Sequence, residues 1–227
     1  MKSKKNKIAF IIGAVLLFAA GALTFFALKE FDAKGYTEAV LEQHFEGKVD
    51  KAEDFVKDKS KKELEEQYEA GVLAFVENYI TYNVEMEDDM KQEYVTVLKK
   101  ILKDMKYTVK EAEKLNGKEY QVVVEYQKSD VYQRFVSYVP EEWNRIQEKV
   151  DLGEYKGTQE EIVKQMQDEY QKNCCDLLER ARQEMEFSET ETELFVVRKN
   201  TNGLYELDEV QITAFINKIM GLDTNQD

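Results

Sequence analysis

Residues with the chemistry for catalysis or metal binding are sparse in this chain of 227. There is one histidine, His44, and any Ser-His-Asp or Cys-His arrangement would have to use it. It lies four residues after Val40 on a short predicted helix, where a surface or half-buried structural histidine is expected rather than a catalyst. Zinc takes three or four clustered His, Cys or carboxylate ligands, which one histidine does not supply. Glu85, Glu87, Asp88 and Asp89 form the densest acid cluster, but the Asp-x-Asp-x-Asp-Gly calcium loop is absent. Asp88 or Asp89 is expected to cap the helix at Met90 instead. The 10 glycines are scattered, so no phosphate-cradling loop is present, and there is no Gly-x-Ser-x-Gly elbow. Paired carboxylates could hydrolyse wall glycans, yet nothing singles out two of the 46 acids. No catalytic, metal-binding or cofactor-binding residue is assigned, and no cofactor is expected.

Cys174 and Cys175 are the two cysteines. Met166 and Tyr170 precede Cys174 by eight and four residues and Leu178 follows it by four, which puts Cys174 on a buried helical stripe. Cys175 is turned about 100° around the helix, at the stripe's edge. A bond between adjacent residues would distort the peptide between them and break that helix. Free thiols are expected, Cys174 as a small hydrophobe and Cys175 more open to alkylation.

The elements that must position these groups begin with an N-terminal segment. Lys2, Lys4, Lys5 and Lys7 precede an uncharged run from Ile8 to Leu28. As a helix, those residues span about 31 Å, the hydrocarbon thickness of a bilayer. The expectation is a signal anchor over 8–28, with a basic cytoplasmic tail (1–7) and everything after Leu28 extracytoplasmic. Cleavage after Ala22, in Ala20-Gly21-Ala22, is the alternative. Ala9, Gly13 and Gly21 share one face, which would let two anchors approach as a weak dimer, the oligomeric state otherwise being open. Beyond the run lie 28 bases and 46 acids, a charge of −18 that disfavours nucleic acid and anionic lipid surfaces.

A spacer over 29–35, one extracytoplasmic α+β domain over 36–221 and a tail over 222–227 complete the predicted organisation. Ser60-Lys61-Lys62-Glu63 is a capping box opening a helix with Leu64, Tyr68, Val72, Phe75, Val76 and Tyr79 on its stripe. A second helix carries Met90, Tyr94, Val97, Leu98, Ile101, Leu102 and Met105. Alternation at Tyr120, Val122, Val124 and Tyr126 predicts a strand, paired with Tyr107 to Glu113 through a tight Asn116-Gly117 turn of positive φ. Pro140 suits a first helical turn, with Trp143, Ile146 and Val150 lining one side. Thr158-Gln159-Glu160-Glu161 starts a long helix running through Leu177, Leu178, Ala181 and Met185. Glu193–Arg198 and Leu204–Leu207 make a hairpin around Asn202-Gly203, and Asp208 caps a last helix with Ile212, Phe215, Ile216 and Ile219. Helices and hairpins are segregated, so the fold class is α+β: an N-terminal transmembrane helix, then a helix-rich domain with a small antiparallel sheet.

Three segments carry a resemblance. Phe31-Asp32-Ala33-Lys34-Gly35-Tyr36 with Val40-Leu41, then Lys106-Tyr107-Thr108-Val109-Lys110-Glu111-Ala112, then Asn202-Gly203-Leu204-Tyr205 resemble a family of Gram-positive extracytoplasmic lipoprotein-like domains of unknown function. The resemblance implies an exported, membrane-tethered domain and no particular reaction. No cysteine stands near the apolar run for lipid attachment, so an anchor takes that role. The hairpin order is also similar to the curved sheets of the cystatin or nuclear-transport-factor class.

The functional expectation is a single-pass membrane protein of the cell envelope that binds a protein or small-molecule partner and performs no chemistry. A sensory or regulatory module and a cell-envelope hydrolase are the alternatives.

Overall fold

The computed structural model describes residues 30–55, 60–82 and 84–222, so the expected anchor Ile8–Leu28 lies outside the described residues. Among the described residues, no helix is long and apolar enough to cross a membrane.

Local signals account for most element ends. The Asp32 carboxylate accepts the Gly35 N–H at 2.8 Å and starts α1 (Ala33–Glu46), inside the stretch expected to be spacer. α1 stops at Gly47, where φ is +67° and an added Cβ would fall 2.6 Å from the Tyr68 ring. After α2 (Asp50–Phe55), the Ser60 capping box forms as expected and opens α3 (Lys61–Phe75), which widens into one π-helical turn, Val76–Ile80. α4 (Asp88–Asp104) has Glu87 at its cap position without a side-chain hydrogen bond. Asp88 and Asp89 therefore do not cap it; they occupy its first turn, where the helix dipole favours negative charge.

β1 (Lys106–Asn116) and β2 (Glu119–Ser129) form the predicted hairpin with a different turn. Its two residues are Gly117 and Lys118, and Asn116 lacks positive φ. The Asn116 amide instead accepts the Lys118 N–H at 2.8 Å and donates to Glu119 at 2.7 Å, so its side chain replaces the expected backbone twist. α5 runs from Val131 to Asp151, which places Pro140 mid-helix rather than in a first turn. Burial of Val131 and Phe135 on the same helix extends it upstream despite the missing Pro140 N–H.

α6 (Gln159–Glu184) opens on the Thr158 capping box as predicted. β3 (Phe187–Lys199) begins six residues before the expected Glu193, because the polar stretch after Phe187 has no apolar face to announce it. β4 (Tyr205–Leu207) pairs antiparallel with it, Val197 opposite Leu207 and Lys199 opposite Tyr205. Within the loop between them the Gly203 N–H donates to the Asn200 carbonyl at 3.0 Å. Gly203 itself is left-handed at φ +84°. That is a four-residue turn, Asn200 to Gly203, whose last residue is a left-handed glycine, not an Asn202-Gly203 pair of positive φ. α7 (Glu209–Ile219) follows Asp208, whose carboxylate accepts the Val210 N–H at 2.8 Å. The sheet order is β1-β2-β3-β4, and the mixed α+β class stands.

The described residues divide into two compact units. The first holds the described residues up to 82 with 109–123 and 194–213; the second holds 84–108, 124–193 and 214–222. In the first, Leu41, Phe45, Leu64, Val76 and Phe195 are buried completely or nearly so. In the second, α6 packs against both α4 and α5. Trp143 and Val150 do not line the core as expected; Ile146 alone of that trio is buried, and the other two stand at its margin.

Candidate functional site

His44, in the first unit, is fully buried, with Nδ1 2.7 Å from the Val40 carbonyl oxygen. Burial disfavours its cation and lowers its pKa to about 4, so it is a neutral core side chain, structural as expected but deeper than the surface or half-buried position foreseen.

In the second unit both cysteines are free thiols and both are buried, Cys175 more deeply than Cys174. The expectation of an open Cys175 fails because α6 is covered on two sides. Positions 100° apart then both face a neighbouring helix. Burial raises the Cys174 thiol to about 11 and the Cys175 thiol to about 12. Neither is a poised thiolate.

The acid cluster is dispersed. Glu85 contributes its backbone carbonyl to the Gln171 amide at 2.9 Å, and Glu87 pairs with Lys164 at 3.2 Å. Among the described residues, no group of three or more His, Cys, Asp or Glu side chains could hold a metal ion.

The structure assembles a different place, one cleft of the second unit. It has a volume of about 360 Å³ and is lined by Lys128, Ser129, Asp130, Gln133, Glu186, Phe187, Ser188, Lys218 and Gly221. Four elements or their ends build it. β2 ends at Ser129, and Asp130 turns the chain into α5 by accepting the Arg134 N–H at 3.0 Å on its carbonyl oxygen. Asp130 also ties this corner to the link between α6 and β3: its N–H donates to the Glu186 carbonyl at 3.1 Å and its carboxylate accepts the Glu186 N–H at 2.8 Å. From the end of α7 comes Gly221, left-handed at φ +68°, whose carbonyl accepts the Gln133 amide. A Cβ there would fall 2.5 Å from the Ser129 carbonyl oxygen, so only glycine lets the chain close against β2.

Charge around the cleft is balanced and largely committed. Lys128 pairs with Glu191 at 3.0 Å and Lys218 with Glu193 at 2.5 Å. The bond from Lys128 holds the Glu191 carboxyl below its usual range. Arg134 binds Asp130 at 2.7 Å and Glu186 at 3.3 Å. Phe187 supplies an apolar wall, with the Lys106 ammonium 4.1 Å from its ring centre.

Ser129 stands out in this setting. It is 3% exposed, and its hydroxyl has no hydrogen-bond partner. Gln43 Nε2 and Asn217 Oδ1 are likewise unpartnered, but Ser129 is the one of the three that lines this cleft. An unmet buried hydroxyl costs about 1–3 kcal/mol, which makes such groups rare and informative. None of the cleft residues was picked out in the sequence. Gly221, one residue past an apolar helical stripe, was the readable signal, as a helix end.

No protein-family model matches the chain, and no curated protein sequence matches it. A solved structure does. It is that of YcdA, a protein of Bacillus subtilis subsp. subtilis str. 168 provisionally classed as a lipoprotein, with a TM-score of 0.52 and 13% sequence identity. The match covers 83% of this chain and 56% of that one, so the chain spans little more than half the length of its structural neighbour. At such identity the likeness is one of fold, and it agrees with the lipoprotein-like resemblance of the Phe31, Lys106 and Asn202 segments.

Proposed function

We propose that this chain is an envelope-associated, membrane-tethered domain that binds a small polar ligand in the Ser129 cleft and performs no chemistry on it. The observation that carries the reading is the Ser129 hydroxyl, buried, unpartnered and on the lining of a cleft of ligand size. A ligand bearing one hydrogen-bonding group for Ser129 and both signs of charge for the rim fits this lining, as a free amino acid or short peptide does. The tether rests on the four lysines and the apolar run Ile8–Leu28, and the envelope location is supported by the fold shared with a lipoprotein. The hydrolase alternative would fall on Asp130 and Glu186. Their joint engagement by Arg134 favours two fixed acceptors over an acid and a base.

Native mass spectrometry of the full chain, extracted gently from its own membranes, tests the reading. A bound species of small mass is expected on the wild-type chain and not on the Ser129→Ala variant. In the ligand-free chain that same change removes an unmet polar group and should raise unfolding stability by about 1 kcal/mol. Identical spectra for the two chains would sink the proposal.

A further inference from the structure

Helix α5 has one side on which the chain's usual surface is missing. Val136, Pro140, Trp143, Gln147 and Val150 follow one another at spacings of four and three along α5. Each of these residues is exposed, Val136 by 47%, Trp143 by 50% and Val150 by 36%. Their exposed neighbours on the solvent side, Ser137 and Asn144, are uncharged as well. From Val136 to Val150 no charge falls on this side, in a chain where 34% of residues are charged. The charges of α5 between Val136 and Val150, at Glu141, Glu142, Arg145, Glu148 and Lys149, lie around the helix, and Arg134 and Asp151 fall outside that stretch. Loss of charge with an aromatic at the centre is the composition of an interface core, and solubility alone does not explain it.

The platform is also held still. On the flank away from the seam, Glu142 receives a bidentate bond from Arg145 (2.9 Å each) and a third from Asn173 (2.9 Å). Glu169 of α6 takes Arg145 at 2.6 Å and Lys149 at 2.7 Å. Trp143 stands edge-on to Tyr170, ring centres 5.7 Å apart. A rigid, half-exposed indole loses little freedom on contact, which is what interface anchors share.

We infer that this face is where two copies of the chain meet, α5 against α5 and antiparallel. Two arguments favour a second copy over another occupant. First, the part of the chain beyond residue 28 carries −18, so two copies repel wherever charged surfaces meet; an uncharged strip is where that penalty vanishes. Second, the spacing of Val136, Pro140, Trp143 and Gln147 maps onto itself when reversed, with Val150 falling beyond them opposite Gln133. Trp143 of one copy falls on Pro140 of the other, and Val136 on Gln147, in both directions at once, as an isologous contact requires. The alternation of four and three is that of a helix–helix seam. The seam is about 22 Å long, too small for a stable dimer in dilute solution. Confinement of tethered chains to one membrane raises their effective concentration and lets the contact form there. This inference rests on the membrane tether proposed above and not on the ligand reading; Gln133, opposite Val150 at the end of the seam, is the cleft residue it comes near.

The test reconstitutes the full chain into neutral phosphatidylcholine vesicles. Two variants, Val136→Cys and Gln147→Cys, carry different tags and are mixed or kept separate under mild oxidation. The native thiols are buried, so the wild-type chain is the background control. A disulfide-linked pair bearing both tags is expected from the mixture, and neither variant should link to itself. Adding Trp143→Glu to both chains should lower the linked fraction roughly tenfold, in keeping with loss of a central anchor. The single tryptophan gives a second readout: its emission should shift to the blue as protein-to-lipid ratio rises. Self-linking of each variant would mean a parallel seam, and equal linking with and without Trp143→Glu would mean random collision; either result overturns the inference. So does a seam that links only to a different protein in native membranes.

Discussion

In the unit built on α1 and α3, the residues nearest the chain's entry are held by rings. Phe31 stacks on Tyr205 with centres 4.1 Å apart and planes 18° from parallel, and it meets Tyr36, Phe55 and Tyr120 at 5.6 to 6.3 Å. Burial lifts the Tyr36 hydroxyl to about 12, and the one ionisable imidazole nearby, His44, is kept neutral. In the unit built on α4, α5 and α6, helices are joined by charge. Arg182 reaches Asp104 at 2.6 Å and Glu179 at 2.7 Å; Glu169 gathers Arg145, Lys149 and the Tyr155 hydroxyl. The difference teaches that one acidic chain can order its parts by two mechanisms. Ring packing is indifferent to salt, whereas partly exposed ion pairs are screened by it.

The contrast should be widest in acid. His44 has its pKa lowered from 6.5 to about 4, so between those values the unfolded chain binds the extra proton. Stability of the first unit is therefore full above pH 6.5 and falls as pH drops toward 4, by about 3 kcal/mol. Glu169 and Glu179 are held near 2, by Lys149 with Arg145 and by Arg182 respectively. Their contribution to the second unit is present above about 4.5 and disappears only as pH falls through 2. Amide hydrogen exchange at pH 6.5, 5 and 4 should show α1 losing protection before α5 and α6. His44→Gln should flatten that response, and simultaneous loss in all three helices would erase the distinction.

A somewhat smaller effect is expected from Phe31→Ala. The ring is only partly buried but is the shared contact of four others, so about 2.5 kcal/mol should be lost. Chemical unfolding of the full chain in detergent measures this, and the loss should be the same in low and high salt. A salt-dependent loss would show that charge, not packing, holds this end.

Glu142→Ala is the counterpart in the second unit. It strips a buried carboxylate from Arg145 and Asn173 and should cost about 2 kcal/mol. Emission of Trp143, next in the chain, reports it directly. Because Arg145 is 42% exposed, the cost should shrink in about 1 M salt. An undiminished cost would make this cluster a packing device like the aromatic one.

Signals that act within four residues were legible in the sequence. The capping boxes at Ser60 and Thr158 and the cap at Asp208 place helix starts because side chain and backbone meet inside one turn, whereas the cap at Asp32 lies in the stretch expected to be spacer and was not read. Alternation at Tyr120, Val122, Val124 and Tyr126 marked β2 for the same reason, since period two survives whatever covers the face. Which faces become covered was another matter. Cys175 is as buried as Cys174 because α6 has neighbours on two sides, and Trp143 is half exposed because the buried face of α5 centres on Phe135, Glu142 and Ile146. Neither fact is a property of one helix. The cleft is the extreme case: Ser129, Gln133, Glu186, Lys218 and Gly221 come from stretches up to 92 residues apart, and no spacing links them. The local dihedral and hydrogen-bonding preferences of this chain determined its elements. Only the packing of those elements against one another decided which polar groups lost their water, and so where a site could form.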